Sequence, residues 1–163
     1  MRVSGKHIVF RYIVAVAAVA LVTGAAAATT KPRIAGHDVL SGKPLSLSAL
    51  HGRPVFVNVW GSWCGGCNVE ARLLARFSRE HRRQVAFLGI DTLDARTAAR
   101  AFYDRYDTDY PSIFDPKGII AGGWSRGAPT TLVFNRRHVL VRRIEGASTL
   151  KQLNAALRAA LSR

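Results

Sequence analysis

Nothing constrains the fold of this chain more than the setting of its two cysteines, Cys64 and Cys67. Before them runs Val55-Phe56-Val57-Asn58-Val59-Trp60, a short, β-branched, apolar stretch that reads as a buried strand. After them Val69, Leu73, Leu74 and Phe77 recur at helical spacing, in a segment that ends near Arg83. The cysteines therefore stand where a strand gives way to a helix. Two cysteines this close cannot tie distant parts of a fold together, and their loop is too small to restrict the unfolded chain much. Chemistry explains them better. Free backbone N–H groups and the positive end of the helix dipole face a sulfur at position 64 and favour its thiolate. Cys67, one turn further on, lies on the same side and can resolve a mixed disulfide formed at Cys64.

Two rival uses of the pair fail on the residues. A structural zinc site needs about two more ligands, but there is no second C-x-x-C, and His51, His81 and His138 are scattered without an H-x₃₋₅-H pair. A peroxidatic cysteine in a P-x-x-x-T-x-x-C setting is also absent.

The remaining pattern gives the architecture. Pro44 to Leu50 alternates leucine and serine, which suits a short extended edge. Val85 to Ile90 is a second buried strand. Ala95 to Tyr106 reads as a helix with Ala98, Ala101 and Phe102 on one face. Thr130–Phe134 and Val139–Ile144 read as two strands joined by the turn Asn135-Arg136-Arg137-His138. Leu150, Leu153, Leu157 and Leu161 form the stripe of a closing helix, with Ser148 or Thr149 at the capping position. The order β-α-β-α, then a hairpin, then α, implies an α/β domain: a mixed central β-sheet flanked by helices on both faces.

The N-terminus is of another kind. Arg2 and Lys6 lead into a run from Tyr12 to Val22 without a charged residue, and then come Gly24 and four alanines. That is the order of a secretory signal, with cleavage expected after Ala27 or Ala28. Tyr12 to Ala28 is seventeen residues, at the short edge of a bilayer span. Residues 1–28 are thus a signal peptide or a membrane anchor helix, with membrane association through residues 8–28, and the rest of the chain is exported. Residues 29–37 read as a linker and 38–163 as the folded domain. The chain of 163 residues carries a net charge of +14. Its arginines are scattered and no basic, aromatic-interleaved motif appears, which argues against a nucleic-acid partner.

With these motifs in view, the sequence resembles the thioredoxin-like TlpA/ResA/CcmG (DsbE) family of exported thiol–disulfide oxidoreductases over residues 38–160. Ser41 to Leu50 looks like the family's entry segment, and Gly52 to Trp60 like its strand before the active site. Trp63-Cys64-Gly65-Gly66-Cys67 matches W-C-x-x-C. Asp109 to Ser112 and Asp115 to Gly118 resemble an inserted region, and Gly127-Ala128-Pro129-Thr130-Thr131 matches the cis-proline loop. The resemblance implies a thioredoxin fold. It implies that Pro129 packs against the dithiol, and that Trp63 and the backbone of Ala128 meet the substrate. The sixty-two residues from Cys67 to Pro129 leave room for the helix and strand this group adds.

Asn58 stands where plain thioredoxins carry a buried aspartate, so the proton acceptor for Cys67 is open. Asp94 aligns with a site-facing acid of some relatives, and a helix-capping role fits it equally. Glycines at 65 and 66 replace a bulkier dipeptide and loosen the first helical turn.

The implied function is thiol–disulfide exchange on exported proteins, in the reducing direction, with apocytochrome c as a substrate and a membrane electron donor. No metal and no cofactor beyond the redox-active Cys64–Cys67 disulfide is expected. Two alternatives stay open. One is a copper-binding or delivery module that adds His138 to the cysteines, and the other is a disulfide oxidant or isomerase.

Overall fold

The computed structural model describes residues 33–162. The signal or anchor read over residues 1–28 lies outside them. The described chain runs β1 (Ala35–His37), β2 (Pro44–Ser46), a 3-10 turn (Ser48–Leu50), β3 (Val55–Trp60), α1 (Gly65–His81), β4 (Ala86–Thr92) and α2 (Arg96–Tyr106). It continues through β5 (Ser112–Asp115), α3 (Ile119–Trp124), β6 (Thr130–Phe134), β7 (Leu140–Glu145) and α4 (Leu150–Leu161). The main sheet has the order β5-β4-β3-β6-β7, with β3 at its centre. β3, β4 and β5 are parallel, while β6 runs antiparallel to β3 and β7 antiparallel to β6. This is the mixed sheet of a thioredoxin fold.

Every residue of β3, β4 and β6 is buried, which is why these strands read as unbroken apolar runs. The two sides of β3 feed different cores. Phe56 packs with Leu74 and Phe77 of α1, Phe87, Val133, and Leu153 and Leu157 of α4. Val55, Val57 and Val59 pack with Leu88, Ile113, Leu132, Ala121 of α3 and the apolar residues of the β1–β2 segment. Trp60 turns to α2 and stacks near Phe102, with ring centroids 4.5 Å apart. Helices thus cover both faces.

Several elements differ in detail from the sequence reading. The expected linker over 29–37 gives its last residues to the fold: Ile34 is buried and β1 pairs with β2. On α1 the buried stripe is Cys67, Glu70, Ala71, Leu74, Phe77 and Ser78, while Val69 is 78% exposed. The burial of Cys67 sets this phase, because residues three and four further on must share its side of the helix. On α2 the stripe is Ala99, Phe102 and Tyr103, one step away from Ala98 and Ala101. On α4 Leu153 and Leu157 are buried, but Leu150 is 48% exposed. The cap of α4 is Thr149: its hydroxyl accepts from Gln152 N–H, and the Gln152 side chain accepts from Thr149 N–H. The hairpin turn manages without glycine because Asn135 Oδ1 accepts from the N–H groups of Arg137 and Val139, and His138 takes a φ of 56°.

Candidate active site

Cys64 is the N-cap of α1, and its backbone is still extended, with φ −86° and ψ 113°. Its N–H donates to Gly61 O, its carbonyl accepts from Asn68 N–H, and its Sγ accepts from Cys67 N–H at 3.1 Å. The two sulfurs are joined in a disulfide, with Cα atoms 5.2 Å apart. Both cysteines are buried, Cys67 the more completely. The Asn68 side chain donates to the carbonyls of Cys64 and Ser62 and accepts from Tyr106 O–H, so α2 braces the turn from outside.

The Ala128–Pro129 peptide is cis, and β6 starts at the next residue. The antiparallel register of β6 on β3 pairs Thr130 with Val59, which brings Pro129 to the cysteine end of the sheet. The two glycines between the cysteines then differ. A Cβ on Gly66 would lie 2.9 Å from Pro129 Cδ, whereas a Cβ on Gly65 would meet nothing within 4 Å. Gly66 is the residue that lets the helix turn lie against the proline ring. Trp63 is 55% exposed yet fixed: its Nε1–H donates to Thr92 O at 3.1 Å, and its indole covers Gly61. Beside it Leu93, with φ 52°, is 59% exposed. Together with Ala128 and α3 they border a small, mostly apolar groove of about 170 Å³.

Asp94 neither caps α2 nor has any hydrogen bond to a cysteine. Its carboxylate accepts from Ser62 N–H at 2.6 Å and Ser62 O–H at 2.9 Å, which pins the turn two residues before Cys64. The cap position of α2 is Ala95, which makes no side-chain cap bond.

Glu70 and Asp91 are the two most deeply buried carboxyls, and the sequence reading singles out neither. Glu70 is 2% exposed, three residues after Cys67 on the buried face of α1. Its Oε1 accepts from Asn58 Nδ2 at 3.0 Å and its Oε2 from Ser148 N–H at 2.5 Å. Burial raises its pKa, and these two donors partly offset the rise. Glu70 thus reaches from the helix to Asn58, the strand position at which plain thioredoxins carry their buried aspartate. The signal was available: a glutamate at i+3 from Cys67, on the stripe that continues to Leu74. Asp91 is fully buried on β4. Nothing in its strand pattern marks it as functional.

His138 lies at the other end of the sheet. β6 leaves the cysteine end at Thr130 and reaches Phe134 opposite Val55, and the turn with His138 follows. The His138 ring there sits 5.5 Å from that of His51, and its Nε2 is 3.2 Å from Leu50 O. It is therefore not a third ligand beside Cys64 and Cys67, and the copper alternative loses its geometry. Among the described residues no group of three or more histidines, cysteines or carboxylates is placed to hold a metal ion.

Comparison with known proteins gives a consistent result. The family model described as Redoxin matches residues 26–157. The thioredoxin-like protein YneN of Bacillus subtilis is 30% identical over 121 residues, covering 72% of this chain and 71% of that protein. The thiol-disulfide oxidoreductase ResA of Bacillus cereus is 30% identical over 120 residues, covering 72% and 69%. A secreted thiol-disulfide isomerase from Corynebacterium glutamicum is 30% identical in structure-based alignment, with a TM-score of 0.71, covering 79% of this chain and 84% of that one. A secreted Mycobacterium tuberculosis disulfide oxidoreductase shares the fold, with a TM-score of 0.70 at 22% identity over 78% of this chain and 96% of that one. A chain with this fold, this cysteine pair and these relatives belongs to the redoxin family, in its thioredoxin-like TlpA/ResA/CcmG group, and is a thiol–disulfide oxidoreductase.

Proposed function

We propose that this enzyme is an extracytoplasmic dithiol reductase of exported proteins, in which Cys64 attacks and Cys67 resolves. The observation that carries the reading is the Cys67 N–H donated to Cys64 Sγ at the start of α1. A donor in that place, with the dipole of a seventeen-residue helix behind it, stabilises charge on Cys64 more than on Cys67.

The step balances as a two-electron exchange. The Cys64 thiolate attacks one sulfur of a substrate disulfide; a Cys64–substrate bond forms, the substrate bond breaks, and the departing thiolate takes up a proton. Cys67 then loses its proton and attacks Cys64. The Cys64–Cys67 disulfide forms, the Cys64–substrate bond breaks, and the second substrate thiolate takes up a proton, so the substrate leaves as a dithiol. Glu70, buried, within one helical turn of Cys67 and of raised pKa, is the acceptor we assign for the Cys67 proton. The cis-proline loop offers the Ala128 backbone to an extended substrate segment, and Trp63 and Leu93 offer it apolar surface. Asp94 holds the turn and does not itself move the proton.

The signal-like residues 1–28 support export, with removal or retention as an anchor deciding whether the protein is soluble or tethered. Family resemblance supports apocytochrome c as a substrate and a membrane protein as the electron donor. An oxidant or isomerase is the second reading, favoured by the likeness to the secreted thiol-disulfide isomerase of Corynebacterium glutamicum. The reduction potential decides between them. A value near about −270 mV supports the reductase, and one near about −120 mV contradicts it.

A further inference from the structure

We infer that Asp91 is a positioning residue for the active-site turn: its carboxyl keeps its proton and donates it to Asp94, which in turn fixes Ser62 two residues before Cys64.

Asp91 sits in β4 between Trp60 of β3 and Phe114 of β5, with no exposed surface. Neither of its carboxyl oxygens has an N–H or O–H donor among the described residues. Buried acceptors are rarely left in that state, because their lost hydration is then not replaced. Among the charged side chains that act on it, the strongest is another carboxyl, that of Asp94, three residues further along the chain. Two carboxylates cannot bond each other, but a carboxylic acid and a carboxylate can, through one proton. Asp94 already accepts from Ser62 N–H, Ser62 O–H and Ala95 N–H. It is therefore the carboxylate of the pair, and Asp91 is the acid.

The charged neighbours agree. Asp94 and Asp115 face Asp91 with negative charge, and Arg96 of α2 is the cation that opposes them. Arg96 also donates to the carbonyls of Asp38 and Val39 and lies over the Phe114 ring, so it does not bond the Asp91 oxygens. Tyr103 faces the same region, but its hydroxyl is engaged with Ser112 and the Tyr110 carbonyl. Burial first, and the Asp94 charge second, push Asp91 up to about 8.

The consequence is a turn whose grip depends on one proton. Below the Asp91 titration, Asp94 is held toward Ser62. Above it, two carboxylates face each other, Asp94 is driven off Ser62, and the Gly61–Cys64 turn slackens. That change opposes the ordinary gain in thiolate as pH rises.

The direct test follows the assigned Asp91 carboxyl carbon by carbon-13 NMR in the full-length oxidised protein, from about pH 4 to about pH 10. The expected result is proton release near pH 8, with the Ser62 amide signal moving at the same midpoint. An Asp91 carbon that titrates near the ordinary value of about 3.9 overturns the inference, as does a Ser62 amide that ignores the Asp91 titration. A second arm measures Cys64 alkylation in the reduced protein. Asp91→Asn keeps an N–H donor toward Asp94, so it removes the inflection near pH 8 and preserves the rate below it. Asp91→Leu offers no donor and slows alkylation several-fold on both sides of that pH. An inflection that persists in Asp91→Asn overturns the link to Cys64. Only this arm rests on the reading of Cys64 as the attacking thiol; the carboxyl titration stands or falls without it.

Discussion

The two ends of β3 and β6 are built from the same strands and solve opposite problems. At the hairpin end the interior is apolar: Phe56 packs between Phe77 and Phe87, with Val133 beside them. His51, Arg136 and Arg137 face solvent there, and the buried Asn135 side chain holds the turn. At the cysteine end polar groups enter the interior beside the apolar cluster of Trp60, Phe102 and Tyr103. Asn58, Glu70, Asp91, Thr130, Thr131 and Ser148 are all buried, and the large apolar residues Trp63 and Leu93 face out. Buried polar groups cost stability unless they are paired, and exposed apolar surface has no folding role. The first end is what a fold needs, and the second is what a reaction needs.

Cys64→Ser should drop peptide-disulfide reduction to the uncatalysed background while the reduced protein keeps its thermal midpoint. Insulin reduction and a melting curve check both halves. At the other end, Phe56→Ala should leave the reduction potential unchanged but destabilise the protein by about 3–5 kcal/mol, read from a urea transition.

The two glycines give a finer cut at the cysteine end itself. Gly66→Ala forces a Cβ against Pro129 and should cost about 1–3 kcal/mol, with slower exchange. Gly65→Ala points into open space and should stabilise the helix start by about 0.5–1 kcal/mol. Equal effects at both positions would remove the special role given to the Gly66–Pro129 contact.

The buried carboxyls set the pH dependence. Glu70 and Asp91 both have pKa values raised by burial, so the folded state holds their protons more tightly than the unfolded chain. Their contribution is complete below the unfolded carboxylate range and is lost as pH rises, for Asp91 through about 8. Melting temperature should therefore fall across that window. Glu70→Gln and Asp91→Asn should each flatten part of the fall. The smallest expected effect is that of His138→Ala, which should change neither exchange rate nor copper affinity.

Much of this was legible beforehand. β3, β4, β6 and the closing helix are continuous apolar or periodic runs, and the cysteine pair at a strand-to-helix junction declares its chemistry. What stayed hidden depends on tertiary context. β5 and α3 are too short to show a period, being four and six residues long. The phase of α1 was misread because Val69 suits a core in isolation, yet Cys67 turns it outward and Glu70 inward. Asp94 was visible as an acid near the site, but its engagement with Ser62 depends on how the β4–α2 loop meets the β3–α1 turn. The separate meanings of Gly65 and Gly66 require Pro129 to be in place.

The division of labour between the cysteines shows in the site of first attack. Each single-cysteine variant, Cys67→Ser and Cys64→Ser, is mixed with a peptide disulfide, and the mixed disulfide is timed and mapped by mass spectrometry. Rapid adduct formation is expected on Cys64 in the first variant, and almost none on Cys67 in the second. Adduct formation on Cys67 as fast as on Cys64 would contradict it.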